Sequence, residues 1–334
     1  MRYYNIPFFI PERGCPHRCI FCDQQKITGV RVGSRPEDLN RQVGRYLETF
    51  PAGERHVEIA FFGGNFTGLA MEEQRAWLEA ASPWLQGGRI DGIRLSTRPD
   101  YINAKVLMLL KEYGVSSIEL GAQSLDEEVL RLAGRGHSAA QVAEASERVL
   151  GAGFRLGVQM MTGLPGDTPE RTMFTAQRIV EMGATETRIY PVLVIRNTQL
   201  AEQYQKGLYK PLSLDETIER CKQLVLFFES RQVKILRLGL HPAEGFSTGG
   251  VLLAGPYHPA LKELVTTAIW RDLLGSTLPV KSGKELLIKV SPRELNAATG
   301  HRASNKEWLL RHFDKVVFTS DPTLKGRNYH ADHC

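Results

Sequence analysis

Ile6-Pro7-Phe8-Phe9-Ile10 runs into Pro11-Glu12-Arg13-Gly14 and then into Cys15-Pro16-His17-Arg18-Cys19-Ile20-Phe21-Cys22. The first five residues read as a short apolar strand stopped by a proline. The three cysteines that follow have C-x3-C-x2-C spacing. If this strand opens a β/α repeat, the cysteine loop belongs at the C-terminal mouth of a barrel, where such folds carry their chemistry.

The repeat is there. Outward from the cysteines, the pattern predicts helices over 36–50, 71–85, 103–113, 138–150, 169–182 and 214–230. Between them it predicts strands over 57–62, 92–95, 117–121, 155–161, 187–195 and 233–238. Trp77 and Trp84 fall on the apolar side of the second helix, and Gly151 is placed as the cap of the 138–150 helix. Regular alternation of this kind argues a parallel sheet with helices outside it. The expected fold is α/β, a partial (βα)6-type TIM-like barrel over residues 1–240. After Leu240 the rhythm breaks at His241-Pro242 and Ser247-Thr248-Gly249-Gly250. Residues 241–334 then read as a small C-terminal α+β region: helix 259–274, strand 285–290, helices 292–298 and 305–313, strand 315–319.

Of five cysteines, only Cys221 and Cys334 stand outside the cluster, so this is not a disulfide framework. Three thiolates suit three irons of a [4Fe–4S] cluster, leaving one iron open to a non-protein ligand. The alternative is a zinc knot with His17 as fourth ligand. Structural zinc usually draws two separated ligand pairs. Here no second C-x-x-C exists, and His17 sits too close in sequence to both neighbours.

With Phe21 before the third cysteine, this motif resembles the radical S-adenosylmethionine (SAM) superfamily. Phe61-Phe62-Gly63-Gly64-Asn65 is similar to that family's glycine motif, although Asn65 stands where an acidic residue or Thr is common. The ordered series Thr97-Arg98-Pro99-Asp100-Tyr101, Glu119-Leu120-Gly121-Ala122-Gln123-Ser124, Arg135-Gly136-His137-Ser138, Met160-Met161 with Leu164-Pro165, and Ile189–Arg196 resembles the radical-SAM domain of the Elongator catalytic subunit, which modifies tRNA wobble uridines. The likeness covers roughly residues 5–210.

The resemblance implies that Cys15, Cys19 and Cys22 bind the cluster and that SAM chelates its open iron. It implies SAM contacts from Gly63, Gly64 and Asn65 (amino group), Gln123, Arg135 (carboxylate), Gln159 (ribose) and Phe21 (adenine). Ser96 replaces a Glu frequent in relatives. The implied reaction is one-electron reductive cleavage of SAM to a 5′-deoxyadenosyl radical, fed by a low-potential ferredoxin- or flavodoxin-type donor, with tRNA as substrate. Haem-chaperone-like and porphyrinogen-oxidising relatives share several of these motifs and remain an alternative, as does a zinc-stabilised RNA-binding adaptor. Residues 241–334 show no Gly-rich acetyl-CoA signature, so the Elongator subunit's acetyl-CoA-dependent step is not carried over.

Composition agrees with a globular protein. Hydrophobic residues are 42% and charged residues 24% of 334, which excludes disorder and coiled coil as global descriptions. No apolar run reaches the ~18 residues of a membrane span, and the N-terminus lacks a signal-peptide layout. A cytoplasmic protein without membrane contact is expected. A net charge of +5 permits a nucleic-acid partner without demanding one. In the tail, Gly300-His301-Arg302-Ala303 between two helices resembles a KH-type GXXG loop with its second glycine lost; an ordinary α+β cap with a solvated basic face is the preferred reading of the residues. His330, His333 and Cys334 read as a frayed end. Neither the hydrogen abstracted nor the oligomeric state is legible.

Overall fold

A computed structural model describes residues 2–10, 14–16, 19–23, 35–240, 250–277 and 283–333. In chain order the first elements are β1 (Arg2–Phe9), α1 (Leu39–Thr49), β2 (Arg55–Phe62), α2 (Met71–Gln86), β3 (Gly92–Thr97), α3 (Ala104–Glu112), β4 (Val115–Gln123), α4 (Glu127–Leu132), α5 (Ala139–Gly151), β5 (Arg155–Thr162), α6 (Pro169–Glu181) and β6 (Glu186–Pro191). They are followed by β7 (Val194–Ile195), α7 (Gln199–Gln205), α8 (Leu214–Ser230), β8 (Lys234–Leu238), β9 (Leu252–Ala254), α9 (Leu261–Thr277), β10 (Gly283–Val290), α10 (Leu295–Thr299), α11 (Ser304–Leu309), β11 (Phe313–Ser320) and β12 (Tyr329–His333). The chain divides into two compact units, Met1–Ser213 with Phe227–Tyr257, and Leu214–Leu226 with His258–Cys334. No helix among the described residues is long and apolar enough to cross a membrane.

Among the described residues, seven strands form one parallel sheet in the order β1-β2-β3-β4-β5-β6-β8. Side chains alternate across it with the strand period of two. Ile59, Phe61, Ile93, Leu95, Ile118, Leu120, Leu156, Val158 and Ile189 point to one face and are at most 1% exposed. Trp77 of α2 meets Phe8 and Phe61 there, so this is the helix-covered face. Burying each such side chain contributes about 1.5–3 kcal/mol.

The intervening residues make the other face polar. Arg94 donates to Glu58 at 2.6 Å, Glu119 at 2.9 Å and Glu186 at 3.0 Å. These carboxylates come from β2, β4 and β6. In a flat sheet β2 and β6 lie roughly 19 Å apart, too far for one guanidinium to bond carboxylates from both. The sheet is curled into a half-barrel, and Arg94 fills its concave side. Two further contacts cross the lumen. The Arg188 guanidinium of β6 lies 4.6 Å from the Phe62 ring centroid of β2, and Lys234 Nζ of β8 lies 3.6 Å from the Tyr3 ring centroid of β1. The second joins the two edge strands at the base.

Local signals explain the helices. Asn103 caps α3 by accepting from Val106 N, Ser138 and Gln141 form a capping box on α5, and Thr168 with Pro169 starts α6. Gly151 does not cap α5. It is the last helical residue, and the left-handed position is Gly153 at φ +86°.

In the second unit β10 is flanked by parallel β11 and antiparallel β12. Trp270, Leu286, Ile288, Val290, Leu309 and Phe313 share its core. His330 and His333 do not lie in a frayed end, since residues 329–333 pair with Val290–Leu286; Cys334 lies outside the described residues. The Gly300–Ala303 turn holds Arg302 at φ +52° and Ala303 at φ +60°, both left-handed. The buried Asn305 amide braces that turn through Thr267 O and Ala298 O.

The Arg94 network sets an acid response. Burial pushes the Glu58 carboxyl up, but Arg94 and then Arg155 outweigh it and hold its pKa at about 2. A depressed folded pKa adds stability above the ordinary 4.5 and loses it as pH falls towards 2. Denaturant unfolding between pH 6 and 2 should show that loss. Arg94→Met should shrink it and lower stability at pH 7 by about 3–5 kcal/mol, because the glutamates are left buried and unpaired.

Candidate functional site

The cysteine loop follows β1 at the C-terminal end of the sheet. Cys19 and Phe21 are buried, Cys15 and Cys22 half-buried. Several elements hold it. Gly14, at φ +73°, lies so close to the loop after β2 that a Cβ would stand 2.2 Å from the Asn65 carbonyl oxygen. Only glycine fits there. The Asn65 side chain, fully buried, donates from Nδ2 to Gly14 O at 2.7 Å. Its Oδ1 accepts from Thr97 Oγ1 at 2.6 Å and from Arg98 N at 3.1 Å. A carbonyl can only accept and a backbone N–H can only donate, so the amide orientation is fixed.

Further along, Ile20 N donates to Ala133 O at 3.3 Å, and Leu200 N donates to Ile20 O at 2.8 Å. Phe21 packs in an apolar cluster with Ile20, Val129, Leu164, Val192 and Leu200. Arg135 reaches the loop from beyond α4. Its Nη1 donates to Cys19 Sγ at 2.9 Å, and its Nη2 donates to Gly121 O. Arg98 orients it from behind, donating from Nη2 to Arg135 O at 2.8 Å while paired with Asp100 at 2.9 Å and 3.0 Å. His137 lies beside this pair. Burial, then Arg135 and Arg98, push its pKa down to about 3, so it is neutral at physiological pH.

Gln123 ends β4 after a register shift, at φ +71°. Non-glycine residues held there store strain, and strain of this kind collects at ligand sites. Its Oε1 is buried with no hydrogen-bond partner. Its Nε2 and the Arg135 guanidinium close over Gly121, where a Cβ would lie 3.2 Å and 3.7 Å from them. The half-buried Gly63 and Gly64 occupy the end of β2, Gly63 at φ +95°.

Gln159 sits deeper in the lumen, where its Nε2 donates to Ser96 Oγ at 2.9 Å and Glu119 Oε2 at 3.0 Å. The structure thus joins Asn65 and Arg135 to the cysteine loop and sets Gln123 beside Arg135. It also ties Gln159 to the ion network through Glu119. Arg98, Asp100 and His137 were quoted in the sequence without roles; a charged pair straddling Pro99 at a strand end was the available signal. Among the described residues, no three His, Cys, Asp or Glu side chains gather around a point that one ion could occupy. His17 lies outside them. A cubane takes each thiolate on a different corner iron, so a spaced triplet beside a cationic donor and an orphaned amide oxygen fits a cluster with an organic ligand.

The radical SAM superfamily model matches residues 9–179. The chain belongs to the radical SAM superfamily. It is therefore an enzyme of that class, with a [4Fe–4S] cluster and SAM as cofactors. A radical SAM C-terminal domain matches residues 185–271. The chain is 28% identical over 245 residues to a tRNA uridine(34) acetyltransferase of Methanocaldococcus infernus, covering 61% of this chain and 46% of that protein. It is 36% identical over 253 residues to Elongator complex protein 3 of Bos taurus, covering 63% of this chain and 46% of that protein. The chain thus spans about half the length of these curated relatives. An archaeal Elp3 from Methanocaldococcus infernus shares the fold, with a TM-score of 0.62 at 21% identity over 81% of this chain and 63% of that one.

Asn65→Ala should free the loop. Losing the buried amide's bonds should cost about 1–3 kcal/mol. Hydrogen exchange at Cys19–Cys22 should rise well before global unfolding does; unchanged exchange would show that the loop is held elsewhere.

Proposed function

We propose that this radical SAM enzyme acts in tRNA modification, with Cys15, Cys19 and Cys22 as the cluster ligands. The observation that carries the ligand assignment is the Arg135 contact to Cys19 Sγ at 2.9 Å, beside the orphaned Gln123 Oε1. When bound, the cluster and SAM supply a 5′-deoxyadenosyl radical by one-electron reductive cleavage. Every other task falls to the chain. Gly63 and Gly64 offer backbone to the SAM amino group, and Gln123 Oε1 accepts from SAM. Arg135 neutralises its carboxylate while keeping a donor on Cys19. Asn65 acts by fixing the loop. Gln159 borders the ribose, and Phe21 with Leu164 and Val192 keeps water from the reacting centre.

The relatives support tRNA as the substrate: their names are those of tRNA uridine(34) acetyltransferases and Elongator proteins. The electron donor in this reading is a low-potential ferredoxin or flavodoxin, and the compartment is the cytoplasm. Residues 1–240 carry the chemistry and residues 241–334 an RNA contact. The left-handed Arg302-Ala303 turn between α10 and α11 supports that contact, since it sets an exposed arginine where KH-type folds grip backbone phosphates.

The test is anaerobic reconstitution with iron and sulfide, then dithionite and SAM, with 5′-deoxyadenosine as readout. Brown protein should yield it, and Cys19→Ala should abolish it. Gln123→Ala should weaken SAM binding about tenfold, the cost of losing one buried hydrogen-bond acceptor. Bulk tRNA should stimulate cleavage or become labelled. A colourless, zinc-bound protein inert towards SAM would sink the reading.

A further inference from the structure

Among the described residues, the half-barrel lumen has one arginine more than its carboxylates answer. By strand parity Arg94, Arg155, Arg188 and Arg237 face it, with Glu58, Glu119 and Glu186, among the described residues. Arg94 holds the three glutamates, and Arg155 pairs with Glu58. Arg188 forks onto Glu119 at 2.5 Å and 3.0 Å. Lys234 stands over the Tyr3 ring at the exposed base.

Arg237 is different. It is the cross-strand partner of Arg188, so two guanidinium groups share neighbouring places on one concave surface. Its Nε donates to Gly239 O at 2.9 Å and its Nη2 to Leu240 O at 3.0 Å, both at the end of its own strand. No carboxylate pairs with it among the described residues, and its Nη1 carries no hydrogen bond there. The group is half-buried. Burial pulls its pKa down, the Tyr190 hydroxyl pushes it up, and the Arg188 charge pulls it down again, for a net fall. Arginine cannot answer by losing its proton. It remains a cation in a partly desolvated place, next to a like charge. Such an arrangement is costly without an anion. Tyr190, two residues beyond Arg188 on the same face, adds a hydroxyl towards the mouth.

We propose that Arg237, flanked by Arg188 and Tyr190, is the seat of an oxyanion carried by the substrate. The inference rests on the radical SAM reading for its purpose, since a group fixed there holds the substrate in the lumen below the cysteine loop. A guanidinium fork accepts a carboxylate or a phosphate. An acyl carboxylate and an RNA or nucleotide phosphate are the two sources of that chemistry.

Calorimetric titration of the full chain with inorganic phosphate, with acetate and with neutral acetamide tests it. The titrations contain neither SAM nor reductant. One saturable oxyanion site is expected, with acetamide silent. Arg237→Gln should weaken it at least about tenfold, and Arg237→Lys, which keeps charge but loses the fork, should weaken it less. Arg45→Gln, on the exposed surface of α1, controls for general charge. Preference for phosphate assigns the nucleic-acid source, and preference for acetate the acyl source. Absence of a saturable site, or equal binding by wild type and Arg237→Gln, overturns the proposal. So does a drop in Tm for Arg237→Gln with binding unchanged, which would make Arg237 a brace of the strand end. Protein that binds the oxyanion but never cleaves SAM would sink the proposed function and leave the seat standing.

Discussion

One buried guanidinium governs the shape of the first unit. Arg94 sits among Glu58, Glu119 and Glu186, drawn from strands that a flat sheet would hold far apart. A charge taken out of water must be answered at close range, and answering this one requires the sheet to curl. The curl in turn brings Arg188 over Phe62 and lets Gln159 reach both Ser96 and Glu119. An apolar filling could stabilise a similar barrel. An ionic one fixes which side chains may stand beside which, and so leaves a lumen with defined polarity.

The mouth obeys a second constraint, exercised by neutral groups. A loop bearing metal ligands must be ordered before the metal arrives if binding is not to bear the whole ordering cost. Here Asn65 clips the start of the loop to the ends of β2 and β3, while Ala133 and Leu200 grip Ile20 from opposite sides. Arg135 then supplies the only charge described at the Cys19 sulfur, and Arg98 with Asp100 keeps it aimed. Removing any one member leaves buried polar atoms in its neighbours, so the arrangement is cooperative.

How far the sequence reached depends on whether a signal is local. Runs such as Val57–Phe62 and 155–161 announce strands because both faces are read within a few residues. The cysteine triplet and the paired glycines are equally local. Short helices α4 and α7 were not legible, since one or two turns carry too little periodicity. The strand 329–333 was hidden by polar residues whose stability comes from a partner some forty residues earlier. Asn65 was read as a cofactor contact from its place in a motif, while its bonds to Gly14, Thr97 and Arg98 depend on the tertiary fold. Arg94 gave the clearest missed hint: a charge in mid-strand must have buried partners, but nothing nearby says that they are Glu58 and Glu186.

The Tyr3–Lys234 contact has a consequence for how the half-barrel closes. It stitches the two outermost strands where they begin, and among the described residues nothing equivalent links them where they end. A second contact higher up, Arg188 over Phe62 at the end of β2, draws β6 towards β2 across the same lumen. Without the Tyr3–Lys234 contact the gap between the edge strands would stand open to water at the floor, beneath the Arg94 network.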